Sequence, residues 1–404
     1  MPNGPLVGVK VLDFTQAFSG PLCTMILGEF GADVLKVENP ANPDETRTWP
    51  PFVAETMSSY FSTLNRNKRS LALNLKSDIG RDAIRRLLGW ADVVVENFTP
   101  GVAEHLSIDY ESAKAINPSL VYCSISGFGQ DGPYRERKGY DPVLQAMGGL
   151  MGVTGERGGG PVKSMIPIAD YMGGTAAAIS ILAALYRRKD TGLGERVDLG
   201  MLDAMVALTS TVGTAFLHNG RVPQRNGTEN PTRVPSSAFE CLDGQLIQLV
   251  PNQRQWQRFC EAIQLPDLAD DTRFASNLDR IANQADLYPL LRKQFLTRPA
   301  HTWLAALVDA GIPAGPIYTL DALFEDPQVV HREMVTSLDH PIAGPMKAIR
   351  LPYRLREAPT AISKMPPAIG EHTLEALIEA GRYSEEEAQA IIASGAAVQT
   401  FNMR

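Results

Sequence analysis

VKVLDFTQAFSGPLCTMILGEFGADVLKV, residues 9 to 37, sets two strand-like runs on either side of a helical stretch. Val9 to Phe14 is the first strand, Thr15 to Pro21 a loop, the helix ends at Gly31, and Asp33 to Val37 is the second strand. Strand, helix and strand within about thirty residues make a βαβ unit of a parallel sheet. The device repeats downstream. Ser77 is suited to cap a helix that carries Ile79, Ala83, Ile84, Leu87 and Leu88 on one face, and Asp92 to Val95 follows as a buried strand. Leu120 to Ile125 is another. The loop after the first strand lacks the GxGxxG that a dinucleotide's pyrophosphate requires, although Glu38 stands near where a ribose-binding acid would lie. The expected fold class is therefore α/β, a Rossmann-like parallel sheet without a nicotinamide dinucleotide site.

At 404 residues the chain is long for one core and predicts two domains, or one large α/β domain with an insertion. An apolar fraction of 44% and a charged fraction of 21% are those of a globular protein rather than a disordered one. A formal charge of -7 and the lack of a basic stripe argue against a nucleic-acid partner. Nothing in Met1 to Pro5 resembles a secretory signal, so the expectation is a cytosolic protein with no membrane partner. The four cysteines, Cys23, Cys123, Cys241 and Cys260, are scattered without CxxC spacing and read as buried free thiols. The six histidines form no HExxH pair, and no metal site is expected.

A second stretch carries the candidate chemistry. PIADYMGG, residues 167 to 174, runs into the apolar segment Ala176 to Tyr186, broken only by Ser180. The segment is too apolar for a surface helix and too short for a membrane span, so it reads as a core helix starting at about Gly173 and closed by Arg187 and Arg188. The two glycines let a ligand or another backbone come close. On this octet alone, Asp170 is either a cap for the first amides or a reactive acid at the mouth of the helix. Glycine-rich loops, Gly127 to Tyr134 and then Arg137 to Asp141, lie between the strand Leu120 to Ile125 and this acid. Open α/β sheets hold ligands in the loops at the carboxyl ends of their strands, which makes this the candidate site region. Gly155 to Pro161 reads as a set of solvated turns.

Many short motifs stand in one order: Leu12-Asp13-Phe14-Thr15, Gly20-Pro21, Val34 to Glu38, Asn65 to Asn74, Val95 to Phe98, Ser126 to Gly129, Gly139-Tyr140-Asp141, Ala169-Asp170 and Gly192 to Asp198. Gly311 to Pro316, Asp326 to Val329 and Gly370 to Thr373 continue the series. Over essentially the whole chain this succession resembles the family III coenzyme A transferases, which include formyl-CoA, carnitine and dicarboxylate CoA-transferases and the α-methylacyl-CoA racemases. The resemblance implies a Rossmann-like large domain with a parallel sheet, a smaller α+β domain, and a homodimer whose two chains interlock. Residues 1–210 and 335–404 would form the large domain, with linkers and the small domain in 211–334. The polar, proline-containing segment His218 to Pro235 suits a linker. A strand at Leu246 to Val250 and helices near Gln255 to Ile263, Leu287 to Leu296 and Ala300 to Ala310 follow it. Thr373 to Ala380 and a Ser384 to Glu387 capping box mark the C-terminal helices.

The resemblance also assigns roles. The matching aspartate, Asp170, is the nucleophile that takes the acyl group as a mixed anhydride and then holds CoA as an aspartyl thioester. With a reference pKa of about 3.9 it is expected to be ionised at neutral pH. Coenzyme A and acyl-CoA are then substrates, with no permanently bound cofactor. The CoA site draws on Gln16, Ala17, Leu73, Lys76, Asn97, Phe98, Lys138 and Tyr140, the lysines for phosphates and Phe98 for the adenine. Read singly, Lys76 and Lys138 are solvated charges, and Leu73 and Phe98 core residues. The chain departs from the formyl-CoA enzymes at Phe18, where they have glutamine, and at His105, where they have arginine. Arg233 to Ser237 stands in place of their glycine run. Tyr140 occupies the position of a racemase histidine, and a phenol of pKa near 10 is a poor base, which favours transfer over racemisation. A CoA-binding or interaction subunit without catalysis is the alternative of another class. Gly139 to Gly155 looks closest to the dicarboxylate branch, which uses succinyl-CoA as donor, and Arg47, Arg69 and Arg233 are candidate partners for a second carboxylate.

Overall fold

Residues 9 to 37 fold into strand β1 (Lys10–Asp13), helix α1 (Ser19–Glu29) and strand β2 (Asp33–Glu38), the two strands parallel with Val11 beside Val34. The structure, a computed structural model, describes residues 4–54, 57–340 and 344–400. Four further strands, β3 (Lys68–Leu73), β4 (Val93–Glu96), β5 (Val121–Ser126) and β6 (Glu195–Gly200), complete a parallel sheet in the order β3-β2-β1-β4-β5-β6. The terminal strand Ala397–Val398 pairs antiparallel with the outer edge of β3. The chain builds outward from β1 in one direction, returns to the centre, and builds outward again from β4. That reversal opens a crevice beyond the carboxyl ends of β1 and β4, where such sheets bind ligands.

Both faces of the sheet are buried, as parallel strands require. Leu12, Leu35, Leu71 and Val94 face a core shared with helix α2 (Asp78–Trp90) and the C-terminal helices Thr373–Glu379 and Glu385–Ala393. Ser77 caps α2 by accepting the Gly80 amide at 3.0 Å, and Ser384 and Glu387 form the expected capping box. Ile79 departs from expectation and is exposed. The inward stripe of α2 runs Gly80, Ala83, Ile84, Leu87, Leu88, and Gly80 takes the place closest to the Asn74 carbonyl.

On the other face Val11, Val34, Val93 and Cys123 pack on α1 and on a long helix. Helix α3 (Asp141–Met147), that long helix α4 (Ile168–Thr191) and helix α5 (Met201–Asn219) follow β5 in the chain, with β6 between the last two. The expected start of α4 at Gly173 is corrected to Ile168, so Asp170 lies inside its first turn. The helix has 24 residues, and both it and α5 are long and apolar enough to cross a membrane by length and composition. The expectation that this stretch is too short to span is therefore corrected. Its packing is that of a core helix on one side, with Ala169, Gly173, Ala177 and Ile181 buried.

The glycines serve the close approach of α1. The Ser19 carbonyl rests on Gly174, and the Ser19 hydroxyl and the Met201 side chain crowd Gly173.

Met151–Val162 and Gly220–Val330 form a separate, smaller unit. Its three strands, β7 (Ser237–Glu240), β8 (Leu246–Leu249) and β9 (Ala314–Pro316), make an antiparallel sheet. Helices Trp256–Ala262, Gln284–Phe295 and Ala300–Asp309 cover a core of Phe239, Leu249, Phe259, Leu291 and Trp303. Buried Arg280 ties this core together by donating to the Val234 and Phe274 carbonyls at 2.7 and 2.9 Å and to Gln253 at 2.8 Å. The grouping of 151–162 with this unit has no sequence signature. All four cysteines are free and buried.

A methyl group at Gly174 would overlap the Ser19 carbonyl oxygen and press on Leu22. Gly174→Ala is therefore expected to lower the unfolding free energy by about 1–3 kcal/mol, despite the higher helix propensity of alanine. Urea denaturation measures this, and a variant as stable as the parent would contradict the packing argument.

Candidate active site

The crevice is an open cleft of about 680 Å³. Its floor is the loop after β1. Asp13, at the end of that strand, accepts the Thr15 amide at 2.8 Å and the Thr15 hydroxyl at 2.6 Å. Lys68 donates from beneath to Asp13 at 3.0 Å, to the Pro21 carbonyl at 3.1 Å and to Asn65 at 2.9 Å. Lys36 donates to the Thr15 carbonyl at 2.6 Å and to Asp44 at 3.1 Å. Asp44 in turn accepts the amide of Ala17 at 3.3 Å, and Ala17 is held at φ 65°, a left-handed conformation rare for a residue with a side chain. Gln16 and Asn97 clasp each other across the crevice. The Gln16 amide donates to Asn97 Oδ1 at 2.9 Å, and Asn97 Nδ2 donates to the Gln16 carbonyl at 2.8 Å. Glu96 accepts the Phe98 amide at 2.8 Å, and burial pushes its carboxyl up to about 7, against hydrogen bonds from Ser124 and Phe98.

Asp170 faces this cleft from the first turn of α4. Pro167 precedes the helix and offers no capping side chain. The cap comes instead from α3, where Asp141 Oδ1 accepts the Ala169 amide at 2.9 Å. Gln145, one turn along α3, donates to Asp141 Oδ2 at 2.7 Å and accepts the Ser164 amide at 2.9 Å, which fixes the approach to α4. The reading of Asp170 as a helix cap is thereby removed. Its carboxylate is half-buried and has no hydrogen bond or ion pair among the described residues. Burial, and then the charge of Asp141, push its pKa up to about 7. The expectation that it is fully ionised at neutral pH is corrected accordingly.

Of the residues singled out in the sequence, Gln16, Ala17, Asn97, Phe98, Lys138, Tyr140 and Asp170 line this one cleft. Leu73 does not, being fully buried in the core, and Lys76 is exposed outside the lining. Phe18 lines the cleft and meets the rings of Tyr171 and Tyr60 edge-on at 5.0 and 6.4 Å, whereas His105 is exposed outside it and bonds the Gly101 carbonyl at 2.8 Å. Glu38 is occupied by Arg47, at 2.6 Å, and is not free for a ribose. That contact also removes Arg47 as a substrate cation. Arg69 is likewise engaged by Asp33, Glu375 and Glu379 at 2.6 to 3.0 Å, and Arg233 belongs to the smaller unit. The cations in the lining are Arg137, Lys138 and Lys163. Lys163, Met165 and Ser19 were not singled out by sequence; the only signal for the first two is their place just before the Pro167 to Gly174 octet.

A desolvated, unpaired carboxylate thus faces a cleft lined with cations at the switch point of a doubly wound sheet. The chain belongs to CoA-transferase family III, whose sequence profile matches residues 6–373. It is 38% identical to succinyl-CoA:glutarate CoA-transferase of Mus musculus over 97% of this chain and 90% of that protein. It is 36% identical to succinate--glutarate CoA-transferase of Agrobacterium fabrum, over 94% of this chain and 97% of the relative. With succinyl-CoA:mesaconate CoA-transferase of Haloarcula hispanica the identity is 38% over the same shares of the two chains. The crystal structure of a CAIB/BAIF family protein from Brucella suis superposes with a TM-score of 0.83 at 38% identity, covering 94% of this chain and all of that one.

The raised pKa of Asp170 makes the folded protein hold a proton that the unfolded chain has released between about pH 4 and 7. Stability associated with this group is therefore lost as pH rises through that window. Asp170→Asn is expected to melt higher than the parent above pH 7 and to show no advantage at pH 4. Thermal melts of both proteins across this range measure the difference, and parallel curves would contradict the burial argument.

Proposed function

We propose that this enzyme transfers coenzyme A from succinyl-CoA to a dicarboxylic acid, with Asp170 as the nucleophile. The observation that carries the reading is that Asp170 faces the switch-point cleft with no partner, its helix being capped from Asp141. The carboxylate attacks the thioester carbonyl to give a mixed anhydride and expels the CoA thiolate. The thiolate then attacks the aspartyl carbonyl, which releases succinate and leaves an aspartyl-CoA thioester. The acceptor acid attacks that thioester, and CoA returns to it through a second anhydride. No step discards the thioester energy to water, provided the cleft excludes it. Gln16, Ala17, Asn97, Phe98, Lys138 and Tyr140 would hold the CoA. Arg137, Lys138 and Lys163 are the cations available for its phosphates and for a second carboxylate on the substrate. The names of the relatives, which join succinyl-CoA to glutarate or mesaconate, support the dicarboxylate class.

The working form in this reading is an interlocked homodimer. Val206, Val212, Phe216 and Leu217 leave one helix, α5, with large apolar side chains exposed, a surface that a second copy would cover. A folded, active monomer in sedimentation at nanomolar concentration would remove that part of the proposal.

Asp170→Ala and Asp170→Asn are expected to abolish transfer while retaining CoA binding, and hydroxylamine should trap Asp170 as a hydroxamate in the parent only. Because the carboxylate is the reactive form, the rate with acyl-CoA should rise through about pH 7 and level off above it. Full turnover by the Asn variant, with deamidation excluded by mass, overturns the assignment. Acids screened against succinyl-, acetyl- and formyl-CoA by mass spectrometry test the substrate class, which fails if only monocarboxylates or carnitine are turned over.

A further inference from the structure

We propose that Ser19 is a catalytic residue whose hydroxyl donates a hydrogen bond to the acyl carbonyl oxygen as Asp170 attacks. The inference rests on the CoA-transfer reading given above. Ser19 is the first residue of α1 and is only 3% exposed, yet its Oγ has no hydrogen-bond partner within the protein. Buried hydroxyls are almost always paired, so an orphan that lines a substrate cleft calls for a partner that arrives with the substrate.

The surroundings place the hydroxyl against α4. A side chain at Gly173 would begin 2.9 Å from the Ser19 hydroxyl, and the backbone of Ser19 is pressed against Gly174. Gly173 is three residues after Asp170, hence its neighbour on the same helical face. The hydroxyl therefore lies beside the turn that carries the nucleophile, pinned by the contact of α1 with α4. The first amides of α1 have no partners within their helix, and its positive end favours negative charge at the same place.

The chemistry follows from the first step of transfer. An Asp170 oxygen bonds to the thioester carbon, and the carbonyl π pair moves onto oxygen. The Ser19 proton stays on Oγ and stabilises that oxyanion. Collapse restores the carbonyl, and the carbon–sulfur pair leaves with the CoA thiolate. The same donor serves the second tetrahedral centre, formed when the thiolate attacks the aspartyl carbonyl. A donor held in place before the reaction stabilises developing charge more than the ground-state carbonyl.

Ser19→Ala tests this. Rapid-quench measurement of the Asp170 adduct should show its formation slowed about 10- to 1,000-fold, with KM for acyl-CoA within about twofold of the parent. Ser19→Cys, which keeps a weaker donor of similar size, should fall between the two, and it carries the test if the alanine variant does not fold. Undiminished adduct formation in either folded variant overturns the role of Ser19, whatever the variant's melting temperature. A parent enzyme that transfers no CoA would instead overturn the functional reading itself.

Discussion

Two lysines without any exposure to water hold up the floor of the cleft. Lys68 against Asp13 and Lys36 against Asp44 are ion pairs of 3.0 and 3.1 Å with every side chain fully buried. Burial pushes Lys68 down to about 8 against the charge of Asp13, while Asp13 and Asp44 stay below the usual carboxylate range because their burial is outweighed by the lysines together with hydrogen bonds from Thr15 and Thr24 to the first and from Thr46 to the second. Such pairs contribute little net stability compared with apolar residues of the same volume, since desolvation offsets their attraction. What they do supply is geometry. Asp13, Lys36 and Asp44 between them bond the amide or carbonyl groups of Thr15 and Ala17, and so shape a loop that would otherwise be free to move over the site.

That floor is linked to Asp170 through α1. Lys68 reaches the Pro21 carbonyl in its first turn, and Ser19 in the same turn sits in the notch made by Gly173 and Gly174 on α4. Asp170 is thus positioned from two sides, by α1 through the glycine notch and by α3 through Asp141 and Gln145. A shift of about 1 Å in such a constellation is enough to lose about two orders of magnitude in rate, which gives the buried polar residues a functional rationale that their stability alone does not. The Gln16–Asn97 clasp then joins the floor to the loop after β4, so the two halves of the sheet meet at the cleft through side chains as well as through strand pairing.

The same buried charges explain which parts of the fold were legible in the sequence. Residues 9 to 37 announced their βαβ unit because their strands are apolar. Lys68-Arg69-Ser70 opens β3, which is buried along its whole length, and three polar residues in a row conceal a buried strand from any hydrophobic pattern. β6 is hidden in a similar way by Glu195, Arg196 and Asp198. Asp170 was visible as a residue, but its freedom from capping was not, because the Ala169 amide is capped by Asp141, 28 residues upstream of it, and local spacing cannot report it. The pattern likewise brought Leu73 and Lys76 forward as ligands, whereas the first is spent on the core. It passed over Ser19, whose significance lies in a missing partner that only the fold exposes.

Capping the helix from α3 has a consequence for the chemistry. A carboxylate at the start of α4 is welcomed by the helix dipole, and Asp141 takes that place, leaving Asp170 without an amide to bond. Burial, and after it the negative charge that takes the cap, opposes the ionisation of Asp170 and brings its pKa to about 7. A carboxylate that bonded backbone amides would have a low pKa, would be well stabilised, and would be a weak nucleophile. One that is half-buried beside another acid is a stronger nucleophile once ionised. It is also less stable in the resting protein, where a substrate cleft lined by Arg137, Lys138 and Lys163 keeps cations on the same surface. In the proposed reaction this arrangement accepts a proton at rest in exchange for a more reactive oxygen during turnover. Asp141 therefore both caps the helix that carries Asp170 and adds to the effect of burial on its pKa.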